Sequence, residues 1–114
     1  MNNFKSVKIF IGDVFYNEYD FKKTNDNTLV YQDDTCNNKI EFIEDNIKVT
    51  RENDEFLLII NSNKEEALYN LKELNYELTI KVNYFDQIKD NSNLIIAYQL
   101  ETNDKAIKLI LEGE

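Results

Sequence analysis

Few side chains in this chain could do chemistry, and the first of them stands alone. Arg51 is the single arginine among 114 residues. It follows Ile47 and Val49 at two-residue spacing, so an extended strand would place it on their apolar face. A guanidinium there can grip a carboxylate or phosphate through two hydrogen bonds. The plainer reading puts Arg51 at a strand end beside the Asn53-Asp54 turn, its head in water; a third pairs it with an internal acid such as Asp33 or Glu101. Four tyrosines, Tyr31, Tyr76, Tyr84 and Tyr98, also fall at apolar positions of alternating segments. A buried phenol needs a hydrogen-bond partner and can orient a ligand. Arg51, Tyr98 and Tyr31 are therefore the residues expected to meet a ligand. Core filling, with each hydroxyl at the rim, is the alternative for the tyrosines.

The remaining candidates read as bystanders. The adjacent acids Asp33-Asp34, Glu44-Asp45 and Glu65-Glu66 point to opposite faces on strands or lie solvated in turns. Neither arrangement makes an acid/base pair with one carboxyl held in a cleft. The stretch Asp90-Asn91-Ser92-Asn93 lacks the central glycine and closing glutamate of a calcium loop. Cys36 has acids rather than cations beside it and reads as an unreactive thiol. The absence of histidine removes Ser-His-Asp and Cys-His catalysis and His-ligated zinc. A lone cysteine removes internal disulfides and CxxC redox pairs. No enzyme activity, cofactor or metal is expected. With 22 acids against 13 bases, the net charge is −9, unsuited to nucleic acid or anionic lipid. A basic protein partner is the charge-matched possibility.

What would position these residues is a set of short strands in a single domain spanning 1–114. Apolar residues make up 42% of the chain, too many for a disordered one. There is no proline and there are two glycines, so Asn and Asp must make the turns. Asp45-Asn46, Asn53-Asp54 and Asn103-Asp104 each separate two apolar runs and read as hairpin connections. The run Tyr76-Leu78-Ile80-Val82-Tyr84 alternates with polar residues, the mark of a half-buried antiparallel strand. Val7-Ile9-Ile11, Leu29-Tyr31, Ile40-Phe42, Ile47-Val49-Arg51, Leu94-Ile96-Tyr98-Leu100 and Ile107-Leu109-Leu111 repeat it. Residues 56–60 are apolar on both faces.

Residues 61–74 are ambiguous. Leu68, Leu71 and Leu74, preceded by the N-cap candidates Asn61-Ser62-Asn63, suit a helix. A strand over 68–71 would keep the meander unbroken, and we favour it. The sum is an all-β domain of eight or nine short strands, a small up-and-down antiparallel barrel, with a sandwich as the alternative. The longest apolar run is far short of a bilayer span, so no membrane association is expected. The first residues show no signal-peptide pattern, and a cytoplasmic location is the expectation.

Three short motifs carry a resemblance: Tyr31-Gln32-Asp33, Arg51 with Asn53 in the place of a turn glycine, and Ile96-Ala97-Tyr98-Gln99-Leu100. In these and in overall spacing, from about Val7 to Leu111, the chain resembles the YwiB-like family of uncharacterised bacterial proteins. It departs from the family pattern after Tyr69, where Leu71 and Leu74 replace a threonine and a glycine. The resemblance implies a calycin (lipocalin-like) barrel and brings no established activity. Two functions suit such a barrel. One is non-enzymatic binding of a small apolar or anionic amphipathic ligand in a cavity that must be small. The other is a filled barrel whose acidic surface meets a basic protein.

Overall fold

The computed structural model describes residues 4–25 and 27–113, and the described chain is all β. Eleven strands follow one another: β1 (Phe4–Ile11), β2 (Val14–Asp20), β3 (Lys22–Asn25), β4 (Thr28–Gln32), β5 (Asn37–Ile43) and β6 (Asn46–Glu52), then β7 (Phe56–Asn61), β8 (Glu66–Leu71), β9 (Tyr76–Asp90), β10 (Asn93–Leu100) and β11 (Ile107–Gly113). From β3 to β11 each strand pairs antiparallel with its chain neighbours, and β1 pairs with β11. The sheet order begins at β2 and ends at β3, and only Phe21 separates these two in sequence. They are two halves of one bent strand, the first on β1 and the second on β4. The result is an antiparallel up-and-down barrel, nearly closed, with no ladder between β2 and β4.

A second bend divides the barrel wall into two sheets. The first half of β9 pairs with β8, from Tyr76 to Lys81, and its second half pairs with β10, from Val82 to Asp90. Strands that switch sheets at a bend make the corners of a flattened barrel. One sheet is therefore continuous in sequence, from β3 to the first half of β9. The other collects β2, β1, β11, β10 and the second half of β9.

The expected eight or nine strands become eleven because β2 and β3 escape the period-two pattern. Ile9 pairs with Asn17 and Phe10 with Phe15, so Tyr16 is an extra, bulged residue that breaks the alternation. The ambiguous stretch 61–74 contains a strand, β8. Its Tyr69 lies between Leu58 and Leu78 in the sheet, and this pairing on both sides outweighs the local leucine spacing. The turn between β5 and β6 is Glu44-Asp45 rather than Asp45-Asn46, since Ile43 pairs with Asn46. That register sets Ile40 opposite Val49 and Asn38 opposite Arg51. Asn75 and Asn91 adopt the left-handed conformation expected of turn asparagines, and so does Glu44.

The interior holds one apolar cluster. Val7, Leu29, Ile40, Ile60, Ile96 and Leu111 are almost wholly buried and form one cluster with Val49, Leu58, Tyr98 and Leu109. Tyr31 and Tyr98 lie in this core as expected; Tyr76 and Tyr84 are exposed instead. For Tyr84 the cause is a bulge at the second corner. Gln99 pairs with Tyr84 and Leu100 with Val82, so Asn83 is the extra residue and the faces beyond it exchange. Phe85 points inward in its place and stacks on Tyr98 at 6.0 Å. Leu57 and Ile59, on the outer face of β7, are half-buried with no strand packed over them.

Candidate functional site

Two cross-strand rows face each other at one end of the barrel. On the continuous sheet, Tyr31, Asn38 and Arg51 are direct neighbours across β4, β5 and β6. On the split sheet, Tyr98, Ile107 and Ile11 are neighbours across β10, β11 and β1. Between the rows is a cleft of about 200 Å³. Ile9, Ile11, Ile107 and Leu109 form its apolar wall; Tyr31, Asp33, Arg51 and Tyr98 form its polar side. Tyr16, the bulged residue of β2, stands at its edge. The cleft thus opens where β2 and β4 part without a ladder between them.

The three residues singled out from sequence, Arg51, Tyr98 and Tyr31, come together here. Arg51 keeps to the inward face, as the Ile47-Val49 spacing requires, and its head is not simply in water. Its Nε donates to Asn38 Oδ1 at 3.1 Å and its Nη2 to Asp33 Oδ2 at 3.2 Å. A guanidinium has five N–H donors; two are used here, and Arg51 lines the cleft with the rest unpaired among the described residues. Burial alone would lower the Arg51 pKa, but the groups around it, Cys36, Tyr98, Asp33 and Tyr31, raise it.

Asp33 overturns its reading as a solvated acid. Its side chain is 11% exposed and holds the loop between β4 and β5 together. Oδ1 accepts from the Thr35 amide at 2.8 Å, the Cys36 amide at 2.7 Å and Thr35 Oγ1 at 3.2 Å. Oδ2 accepts from Asn38 Nδ2 at 3.0 Å as well as from Arg51. Burial by itself would raise this carboxyl. The Thr35 and Cys36 amides, the Asn38 amide and the Arg51 charge outweigh burial and hold it below the ordinary aspartate value. The side chain two residues before the turn does what Asx-turn residues do, bonding the backbone ahead of it. The Tyr31-Gln32-Asp33 order was visible in sequence; that its acid would meet Arg51 depends on register.

The two buried phenols behave differently from Arg51. Tyr31 stacks on Tyr19 at 5.7 Å and meets the edge of Phe21 at 5.8 Å. Tyr98 stacks on Phe85. Burial pushes the pKa of Tyr31 far above the ordinary phenol value, and the neighbouring Tyr98 adds to it. Burial also raises that of Tyr98, against an opposing pull from Arg51. Neither hydroxyl bonds another described residue, and neither is sealed from solvent as Glu41 Oε1 and Thr50 Oγ1 are. Both remain neutral donors at physiological pH.

Cys36 is buried at the floor of the same loop, with Thr35 Oγ1 at 3.5 Å and Asn53 Nδ2 at 3.8 Å from its sulfur. Among the described residues, no three His, Cys, Asp or Glu side chains are gathered to hold a metal ion. A wider groove of about 1220 Å³ crosses the outer face of the continuous sheet, over Ile59 and Leu68. It gathers none of the residues marked by sequence. No helix of the described residues is long and apolar enough to cross a membrane. No family model, curated protein or solved structure matches the chain.

Proposed function

We propose that this chain is a non-enzymatic binding protein, cytoplasmic, whose barrel mouth takes one small apolar or amphipathic ligand bearing a hydrogen-bond acceptor. One observation carries the reading: the free N–H groups of Arg51 and the unpartnered hydroxyls of Tyr31 and Tyr98 converge on a cleft walled by Ile9, Ile11, Ile107 and Leu109. A few aimed polar groups over an apolar wall are the usual make-up of a small-molecule site. Asp33 already accepts from four groups besides Arg51, so the site has donors to offer and little acceptor capacity. It favours a carboxylate or carbonyl over an amine. A cleft of about 200 Å³ has room for roughly ten non-hydrogen atoms at interior packing density. The likeness to calycin barrels belongs to this proposal. Tyr31, Asp33, Arg51 and Tyr98, which carry the resemblance to the YwiB-like family, are also the polar side of the cleft.

The test is displacement of a fluorescent apolar probe by a straight-chain carboxylate of about ten non-hydrogen atoms, compared with the amine of the same length. The carboxylate should compete better. Joint replacement Tyr31→Phe and Tyr98→Phe should weaken it about tenfold, two modest hydrogen bonds' worth, without lowering stability. Equal competition by acid and amine, or no change in the double variant, would refute the reading.

A further inference from the structure

The half-strand β2 has one paired edge and one free edge. Lys8 stands opposite Glu18 and Ser6 opposite Asp20, in a ladder made with β1 alone. On the far side no strand pairs with it, because β3, not β2, pairs with β4, and only Tyr19 near its end reaches across, to Tyr31 of β4. The Glu18 amide shows the consequence. It donates to the Oδ1 of its neighbour Asn17 at 2.8 Å, a side chain standing in for a missing strand. Beside this edge Val14, Phe15 and Tyr16 are 64%, 52% and 55% exposed, three consecutive large apolar residues. A free, apolar edge is a template for another strand unless charge or proline guards it. Here the guards are all acids: Asp13, Glu18 and Asp20. Lys8, across from Glu18, is turned to Glu112 at 3.3 Å, and neither Glu18 nor Asp20 has an ion pair among the described residues.

We infer that the free edge of β2 takes up an extended segment of a basic protein, one in which Lys or Arg alternates with apolar residues. Period two fixes that alternation. Phe15, Glu18 and Asp20 share the outer face of β2, while Val14, Asn17 and Tyr19 share the inner face with Ile11, Ile9 and Val7. An added strand would set its cationic side chains beside Glu18 and Asp20 and its apolar ones beside Val14 and Tyr16. Backbone pairing supplies affinity in this mode and the alternate side chains supply choice of partner. A second copy of the chain fits worse, because antiparallel β2 edges would bring Asp13, Glu18 and Asp20 against the same acids. This inference does not depend on the cleft being a ligand site.

The full chain, labelled with ¹⁵N, is titrated with two eight-residue peptides of equal composition, one alternating Lys and Val, the other with its lysines in one block. The alternating peptide should shift the amides of β2 and bind at least about tenfold tighter than the block peptide. Glu18→Lys should weaken it about tenfold by turning a favourable cross-strand pair unfavourable. Glu18→Pro should abolish pairing, since it removes the edge-facing N–H and no bond to β1. Glu18→Lys carries the test alone if the proline variant does not fold. Equal binding of the two peptides would overturn the inference. So would shifts on another free edge, β3 or the second half of β9, an unchanged affinity in Glu18→Lys, or self-association through β2.

Discussion

Replacing Asp33 with alanine should cost more stability than replacing its ionic partner Arg51, and the difference follows from counting bonds. Asp33 accepts five hydrogen bonds from four residues. The two from Thr35 lie at an exposed position and exchange with water at little loss. The Cys36 amide and Asn38 Nδ2 do not, since both residues are buried. Stranding a buried donor that served a charged group costs about 1–3 kcal/mol, and Asn38 keeps its second bond to the Cys36 carbonyl. The ion pair itself adds at most about 1 kcal/mol, because the Arg51 side chain is 35% exposed. Together these give about 3 kcal/mol for Asp33→Ala. Arg51→Ala strands one acceptor, Asn38 Oδ1, and forfeits the pair, about 1.5 kcal/mol. In urea, with a slope near 1.5 kcal/mol/M, the midpoints should fall by about 2 M and about 1 M. The Asp33 contribution also has a sign with pH. Its folded pKa is lowered, so the stabilisation is full above the unfolded value of about 3.9 and is lost as pH falls through the folded one. The gap between native chain and Asp33→Ala should therefore be flat from about pH 5 to 8 and close only below about pH 4. A larger loss for Arg51→Ala than for Asp33→Ala, or a gap that changes near neutrality, would refute this reasoning.

Two further outcomes are expected from the same structure. In a spectrophotometric titration of the seven tyrosines, Tyr31 and Tyr98 should ionise after the exposed ones, and Tyr31→Phe should remove absorbance change from the late phase only. Glu44 holds φ of 57° in the turn between β5 and β6; Glu44→Gly should relieve that strain and raise thermal stability, by about 0.5–1 kcal/mol.

Sequence periodicity sufficed where a strand has one face in the core and partners on both edges. Val49, Arg51 and Tyr98 fall on the faces their spacing assigns. It failed at bulges, where a single extra residue inverts the pattern: Tyr16 hid β2, and Asn83 exchanged the faces of Tyr84 and Phe85. The convergence of Tyr31, Arg51 and Tyr98 was partly legible, because three polar residues on apolar faces had to meet something. Asp33 was one of two acids, with Glu101, open as an internal partner of Arg51, and which of them it would be was not legible. It depends on a register between β5 and β6 that differs by one turn position from the one the Asp/Asn pair suggested, and on an Asx turn that looked like any other acidic loop. No local signal separates an acid that faces water from one that organises a loop.

The division of the wall into a continuous and a split sheet has a consequence for how the molecule is made. The sheet running from β3 to the first half of β9 consists of successive hairpins, contacts that close over short loops. Its opposite sheet needs β1 and β11, whose contact between Ser6 and Glu112 spans 106 residues. Within that opposite sheet β1–β2, β9–β10 and β10–β11 are hairpins too, so the one long-range step is the β1–β11 pairing that sets Ile9 and Ile11 beside Leu109 and Ile107. On contact-order grounds the cleft is expected to close last, when the β1–β11 pairing, the longest-range among the described strands, completes its apolar wall.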